Sequence, residues 1–179
     1  MLRPVWDELI LLFSNNTSGQ ERFIKKYESE LSDLLMDLSE SDESFHGNFD
    51  LIIAWVFGIV VDWREYEEDI VNCFNAMLQD DDSLSVRFDE NDDYGIITYN
   101  SNDYKIPLTM SPSDRYEIIR ALCSILKDKY GVKLFTSTYP TDTHIFLLLP
   151  LSWWNQIDCL FPNTTKQYFT DISVNIDFQ

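Results

Sequence analysis

Glycine is scarce in this chain, with five in 179 residues, all isolated. A loop that wraps phosphates needs several closely spaced positions without side chains, so nucleotide enzymes of the common types are excluded as a reading. Histidine is scarcer still, with only His46 and His144. Cysteine occurs three times, as Cys73, Cys123 and Cys159, widely spaced and with no Cys-x-x-Cys pair. That inventory leaves little room for a zinc site and gives no disulfide framework. Each cysteine has apolar helical neighbours, which predicts buried free thiols in a reducing, cytosolic compartment. Long apolar runs are missing too. Leu51 to Val61 covers 11 residues, well short of the roughly 20 that cross a bilayer. Near the N-terminus Asp7 and Glu8 interrupt the apolar stretch, which argues against a secretory signal.

Positive charge is the other shortage. Thirteen basic residues face 31 acidic ones, for a net charge of −18. The distribution says more than the total. Met1 to Asp103 holds 24 acidic and 6 basic residues, whereas Tyr104 to Gln179 holds 7 of each. Such a chain repels nucleic acid and anionic membrane surfaces and attracts basic partners. Aromatic residues make up 15% of the sequence, which marks a globular protein and not an acidic disordered tail.

The clearest local pattern lies between Ser111 and Gly131. Ser111 is placed to cap a helix, Pro112 sits at its first position, and Asp114 completes a Ser-x-x-Asp start. Ile118, Ile119, Leu122, Ile125, Leu126 and Tyr130 recur at helical spacing. Lys127 and Lys129 suit the negative end of the helix, and Gly131 is the expected left-handed cap. Upstream, the pattern predicts a helix over Pro4 to Phe13, a second over Gln20 to Leu38, a polar loop over Ser39 to Asn48, and a buried helix over Leu51 to Val61. The β-branched content of that last run keeps a strand open as an alternative. Asp62-x-x-Glu65 reads as the start of a fourth helix that ends at Asp80-Asp81-Asp82.

The texture then changes. Leu84, Val86 and Phe88 alternate with polar residues, Gly95 to Tyr99 continues as a strand, and Tyr104 to Met110 alternates again, with Pro107 marking a sheet edge. After the Ser111 helix, strands are expected over Val132 to Thr136 and Ile145 to Leu149, the latter apolar throughout and so covered on both faces. Ser152 begins a short helix that carries Trp153 and Trp154 and ends at Pro162. A final strand is expected over Asp171 to Phe178. The fold class is therefore α+β: a four-helix N-terminal region followed by a mainly antiparallel sheet with packed helices, in the order βββαββαβ. One domain with two lobes is expected, an acidic helical region over 1–82 and a sheet region over 83–179.

Catalytic constellations are weak. Asp89, Asn91 and Asp93 resemble the start of a calcium loop, but Tyr94 stands where glycine is needed and Asn100 where a bidentate glutamate is needed. Cys159, His144 and Asp142 could be imagined as a thiolate set, without any local motif to support it. Neither a cofactor nor a metal is implied. The acidic residues gather instead in four clusters, Glu28–Glu43, Asp62–Asp69, Asp80–Asp82 and Asp89–Asp93. Concentrating like charge destabilises a fold by self-repulsion, and fast capture of a basic partner offsets that disadvantage. Carboxylates on a rigid fold can also stand in for the phosphates that nucleic-acid-binding proteins grip.

These observations predict a non-enzymatic cytosolic inhibitor of a basic protein, most naturally an immunity protein against a bacterial nuclease toxin. A nucleic-acid-mimicking inhibitor of a DNA-targeting defence system and a non-inhibitory adaptor are the alternatives. The expected partner contacts are Asp80, Asp81, Asp82, Asp89, Glu90, Asp92 and Asp93, the last four at a hairpin tip.

Overall fold

The computed structural model describes residues 2–14, 17–40, 49–62, 64–109 and 111–172. Four helices come first: α1 (Trp6–Phe13), α2 (Thr17–Lys26), α3 (Ser32–Glu40) and α4 (Phe49–Phe57). A short strand β1 (Ile59–Val61) and helix α5 (Glu67–Met77) lead into a three-stranded meander of β2 (Leu84–Phe88), β3 (Tyr94–Tyr99) and β4 (Asn102–Pro107). Helix α6 (Asp114–Leu126), β5 (Tyr130–Phe135), β6 (His144–Pro150), α7 (Leu151–Leu160), α8 (Pro162–Tyr168) and β7 (Phe169–Asp171) follow among the described residues. The fold is α+β, and both sheets are antiparallel throughout. None of the described helices is long and apolar enough to cross a membrane.

The larger sheet has the order β1-β6-β5-β7, which puts β6 inside. Side chains alternate between the two faces of a strand, so the unbroken apolar run of β6 feeds two cores. Leu147 and Leu149 join Phe135, Trp154 and Ile157 in a core closed by α1 to α4, with Leu9, Phe13, Ile53 and Phe57 at its centre. Phe146 and Leu148 join Leu134 in the opposite core, closed by α5, α6 and the smaller sheet through Ile70, Phe74, Leu84, Ile97, Ile118 and Leu122. The stretch where composition shifts, 80–83, joins α5 to β2, and these two elements pack in that same second core.

Several boundaries differ from the sequence reading. The helix expected from Gln20 to Leu38 is interrupted between α2 and α3. Ser32 Oγ donates to the Ser29 carbonyl at 3.1 Å, the kind of side-chain bond that competes with helical pairing. Leu51 to Val61 is both a helix and a strand. The helix ends at Phe57, and Ile59-Val60-Val61, β-branched throughout, pair with His144 to Phe146. Gly58 makes that transition possible, because a Cβ there would lie 2.3 Å from the Ala54 carbonyl oxygen and 2.5 Å from Ile145 Cγ2.

Helix α5 begins at Glu67 and not at Asp62. The Asp62 carboxylate instead accepts the Arg64 amide at 3.0 Å and the Thr143 hydroxyl at 3.1 Å, which pins the entry turn to the start of β6. Gly131 is not a helix cap. It lies within β5, where an added Cβ would meet the Trp154 ring at 2.6 Å, and its carbonyl accepts the Trp154 indole N–H at 2.9 Å. Pro162 ends α7 as expected but also opens α8, at the first-turn position that proline tolerates. The cysteines are free, but they are not the buried thiols expected: Cys73 and Cys123 are half-buried and Cys159 is exposed. Burial pushes the Cys123 thiol up to about 12. Most of the Ser39–Asn48 loop and the end of the Asp171–Phe178 strand lie outside the described residues.

The close approach at Gly58 gives a direct test. Gly58→Ala should destabilise the protein by about 1–3 kcal/mol, the range for overpacking a tight interior, read as a lower denaturation midpoint with an unchanged slope in urea.

Candidate binding cleft

A cleft of about 670 Å³ opens where α5, the β2–β3 hairpin and the link from β4 to α6 meet. Its first wall is the start of α5. Ile70, Val71, Phe74 and Met77 turn inward and fix the helix rotation, so the opposite side of the first turn faces out. Glu67, Glu68 and Asp69 occupy that turn, and the N-cap residue Tyr66 supplies no side-chain cap. The unpaired amides at a helix start favour negative charge nearby, which offsets part of the repulsion among the three carboxylates. Glu65, Glu67 and Glu68 line the cleft together with Arg64 and Tyr66.

The second wall is the hairpin tip. Phe88 closes β2 opposite Gly95, and the loop turns over a bond from the Asp92 amide to the Asp89 carbonyl at 3.1 Å. Asp92 has φ of 57°, a left-handed conformation that aspartate and asparagine adopt more readily than other side chains. Asp89 secures the loop by accepting the Tyr94 amide at 3.0 Å, and the Leu108 amide donates to the Asp93 carbonyl at 2.8 Å. The tip is thus tied to the end of β4, with Phe88, Asp92 and Leu108 on the cleft surface.

The third wall, around Ser111 and Pro112, is a hydrogen-bonded turn just ahead of α6, whose N-cap is Ser113 and not the expected Ser111. Ser111 Oγ accepts the Ser113 amide at 3.3 Å, and Asp114 accepts the Ser111 amide at 3.1 Å. Asp114 also accepts the amide and hydroxyl of Thr109, both at 2.8 Å. Its carboxylate is buried and committed to this turn, so the free acidic lining consists of Glu65, Glu67, Glu68 and Asp92. Among the described residues, no three of His, Cys, Asp or Glu stand together in a way that could hold a metal ion.

The expected contact residues divide. Asp92 lines the cleft, and Asp89, Glu90 and Asp93 share its hairpin tip. Asp80 and Asp81 lie at the other end of β2, where the register pairs Leu84 with Tyr99. A five-residue strand separates the two ends, about 17 Å at 3.4 Å per residue. Asp80 is exposed and ion-paired with Arg3, at the edge of a smaller cleft of about 400 Å³.

Asp82 corrects the expectation outright, because its side chain is only 1% exposed and cannot meet a partner. It accepts hydrogen bonds from Lys129 Nζ at 2.9 Å, Tyr130 OH at 2.7 Å, Asn100 Nδ2 at 2.9 Å and Tyr99 OH at 3.2 Å. Burial alone would push its carboxyl up, but the bonds from Lys129, Asn100 and Tyr130 outweigh that and hold it down at about 2. The sequence reading noted the Asp62–Asp69 cluster but did not select Glu65, Glu67 and Glu68. The available signal was their place at a helix start, where the dipole favours carboxylates.

The Cys159–His144 pairing does not form. Tyr116 of α6 meets the His144 ring edge-on at 5.7 Å on the second-core side, whereas Cys159 is exposed on α7, which packs on the first core. Burial lowers the His144 pKa, and the nearby Arg115 charge adds to this. Compared with protein-family models, curated proteins and solved structures, the chain matches none.

The Asp82 cluster predicts a pH response. Its folded pKa of about 2 lies below the ordinary aspartate value of 3.8, so its stabilisation is present above about pH 4 and is lost as pH falls through about 2. Asp82→Ala should lower stability by about 1–3 kcal/mol at neutral pH by leaving buried donors unpaired, and it should flatten that acid limb in pH-dependent urea melts.

Proposed function

We propose that this chain is a binding protein for a basic protein partner, which it neutralises by covering a functional surface. The observation that carries this reading is the joining of two acidic clusters, far apart in sequence, across one cleft. Glu65, Glu67 and Glu68 come from the approach to α5 and its first turn, and Asp92 from the hairpin tip. An excess of solvated charge does not require a concave meeting point with apolar side chains beneath it. An anionic face of this kind steers a cationic protein and accelerates encounter. The partner class that best suits it is a nuclease, whose own basic cleft is built to hold phosphates. An immunity protein acting in the cytoplasm on a nuclease toxin is the natural form of such an inhibitor, and it needs no chemistry of its own.

The test is capture from the cells that make the protein. At about 50 mM salt the chain should retain a basic protein with nuclease activity, and adding the chain should suppress that activity. Retention should fall steeply by about 500 mM salt, where the Debye length is only a few ångströms. Recovery of acidic or neutral partners alone would sink the reading. Suppression without salt dependence would remove the electrostatic argument for it.

A further inference from the structure

We infer that the cleft receives a cationic side chain, arginine or lysine, presented on a short exposed segment of the protein partner. This rests on the reading above that the partner is a basic protein, and it adds where and how the charge is met. The lining has two parts with different chemistry. Phe88 and Leu108 are apolar and partly exposed, which suits the methylene stem of a long cationic side chain. Glu67 and Glu68 on one wall and Asp92 on the other place carboxylates on both sides of the space above them. A charged head between those walls is met from two directions while its stem stays covered.

Tyr66 supplies a third element. It lines the same cleft and is 74% exposed, so its ring is presented to solvent beside the carboxylates. An aromatic face attracts a guanidinium or ammonium group, and a guanidinium also stacks flat on it. The volume, about 670 Å³, falls in the range of sites that enclose a sizeable ligand, which is roughly 300–1,000 Å³. It exceeds what a lone ion or one side chain fills, and so admits a loop several residues long. The rest of the lining is consistent with this occupant. Asp114 is turned to its own backbone, and the Arg64 side chain, also 74% exposed, is 3.8 Å from Asp62. A nucleic acid strand is excluded by the sign of the lining.

The test titrates hexa-arginine and hexa-lysine peptides into the full chain by calorimetry at about 0.15 M salt, where exposed charges more than about 8 Å apart are largely screened. The triple variant Glu67→Gln, Glu68→Gln, Asp92→Asn removes three of the four free lining carboxylates, leaving Glu65, and asparagine preserves the left-handed backbone at 92. A second triple variant, Glu21→Gln, Glu28→Gln, Asp33→Asn, removes equal charge from exposed positions outside the cleft.

The cleft variant should weaken both peptides by about tenfold or more and the distal variant by less than about twofold. Tyr66→Ala, at a position too exposed to disturb the core, should weaken hexa-arginine by about threefold and hexa-lysine less. Equal losses from the two triple variants would overturn the inference, as would tighter binding of spermidine than of either peptide. If the cleft variant binds the peptides as tightly as the unaltered chain while a basic nuclease is still captured, the cleft assignment fails and the inhibitor reading stands. If the peptides behave as expected but no basic protein is captured, the cleft assignment stands and the inhibitor reading fails.

Discussion

The structure depends on a strand that must be covered on both faces. Residues 146 to 149, Phe-Leu-Leu-Leu, leave no face of β6 that water can solvate favourably. Each large apolar side chain buried here is worth roughly 1.5–3 kcal/mol, so the chain gains only if two separate layers close on the sheet. The N-terminal helices supply one layer, with α7, and α5 and α6 supply the other. β1 and β5 flank β6 and satisfy its backbone on either side. The tight passage at Gly58, against Ile145, follows from this, because α4 must end abruptly for β1 to reach the edge of β6.

The acidic cleft is a consequence of the second layer. Packing α5 through Ile70, Val71 and Phe74 leaves its first turn facing outward, where carboxylates lie near the positive end of the helix dipole. The β2–β3 register then carries the hairpin tip to the same end of the layer, and the turn that Asp114 ties before α6 holds the remaining wall in place. Rigid backbone on three sides separates this site from an ordinary charged surface. The hydrogen bonds of these loops fix where the backbone presents the carboxylates.

Asp80, Asp81 and Asp82 show how far residue type alone falls short. They are neighbours with the same side chain, yet Asp80 is solvated and Asp82 anchors Lys129, Tyr130 and Asn100 from inside the protein. Local periodicity does not say which of three aspartates turns inward. Gly131 and Pro162 carry the same lesson. A glycine after a helix pattern normally reads as a cap, but this one makes room for Trp154. A proline after a helix reads as a stop, and here it also begins the next helix.

What the sequence determined by itself was whatever repeats over a few residues. The period-two alternation of β2, the helical spacing of α6, the doubly covered strand β6, the antiparallel α+β class and the uneven charge all follow from neighbours in the chain. The tertiary structure alone decided which carboxylates meet. Residues 65–68, 88, 92, 108, 111, 112 and 114 come together because α5 packs on β2 and α6 through apolar faces. Burial of apolar area is non-directional and acts between segments however far apart they lie in sequence. No local pattern encodes which ends of those elements end up side by side.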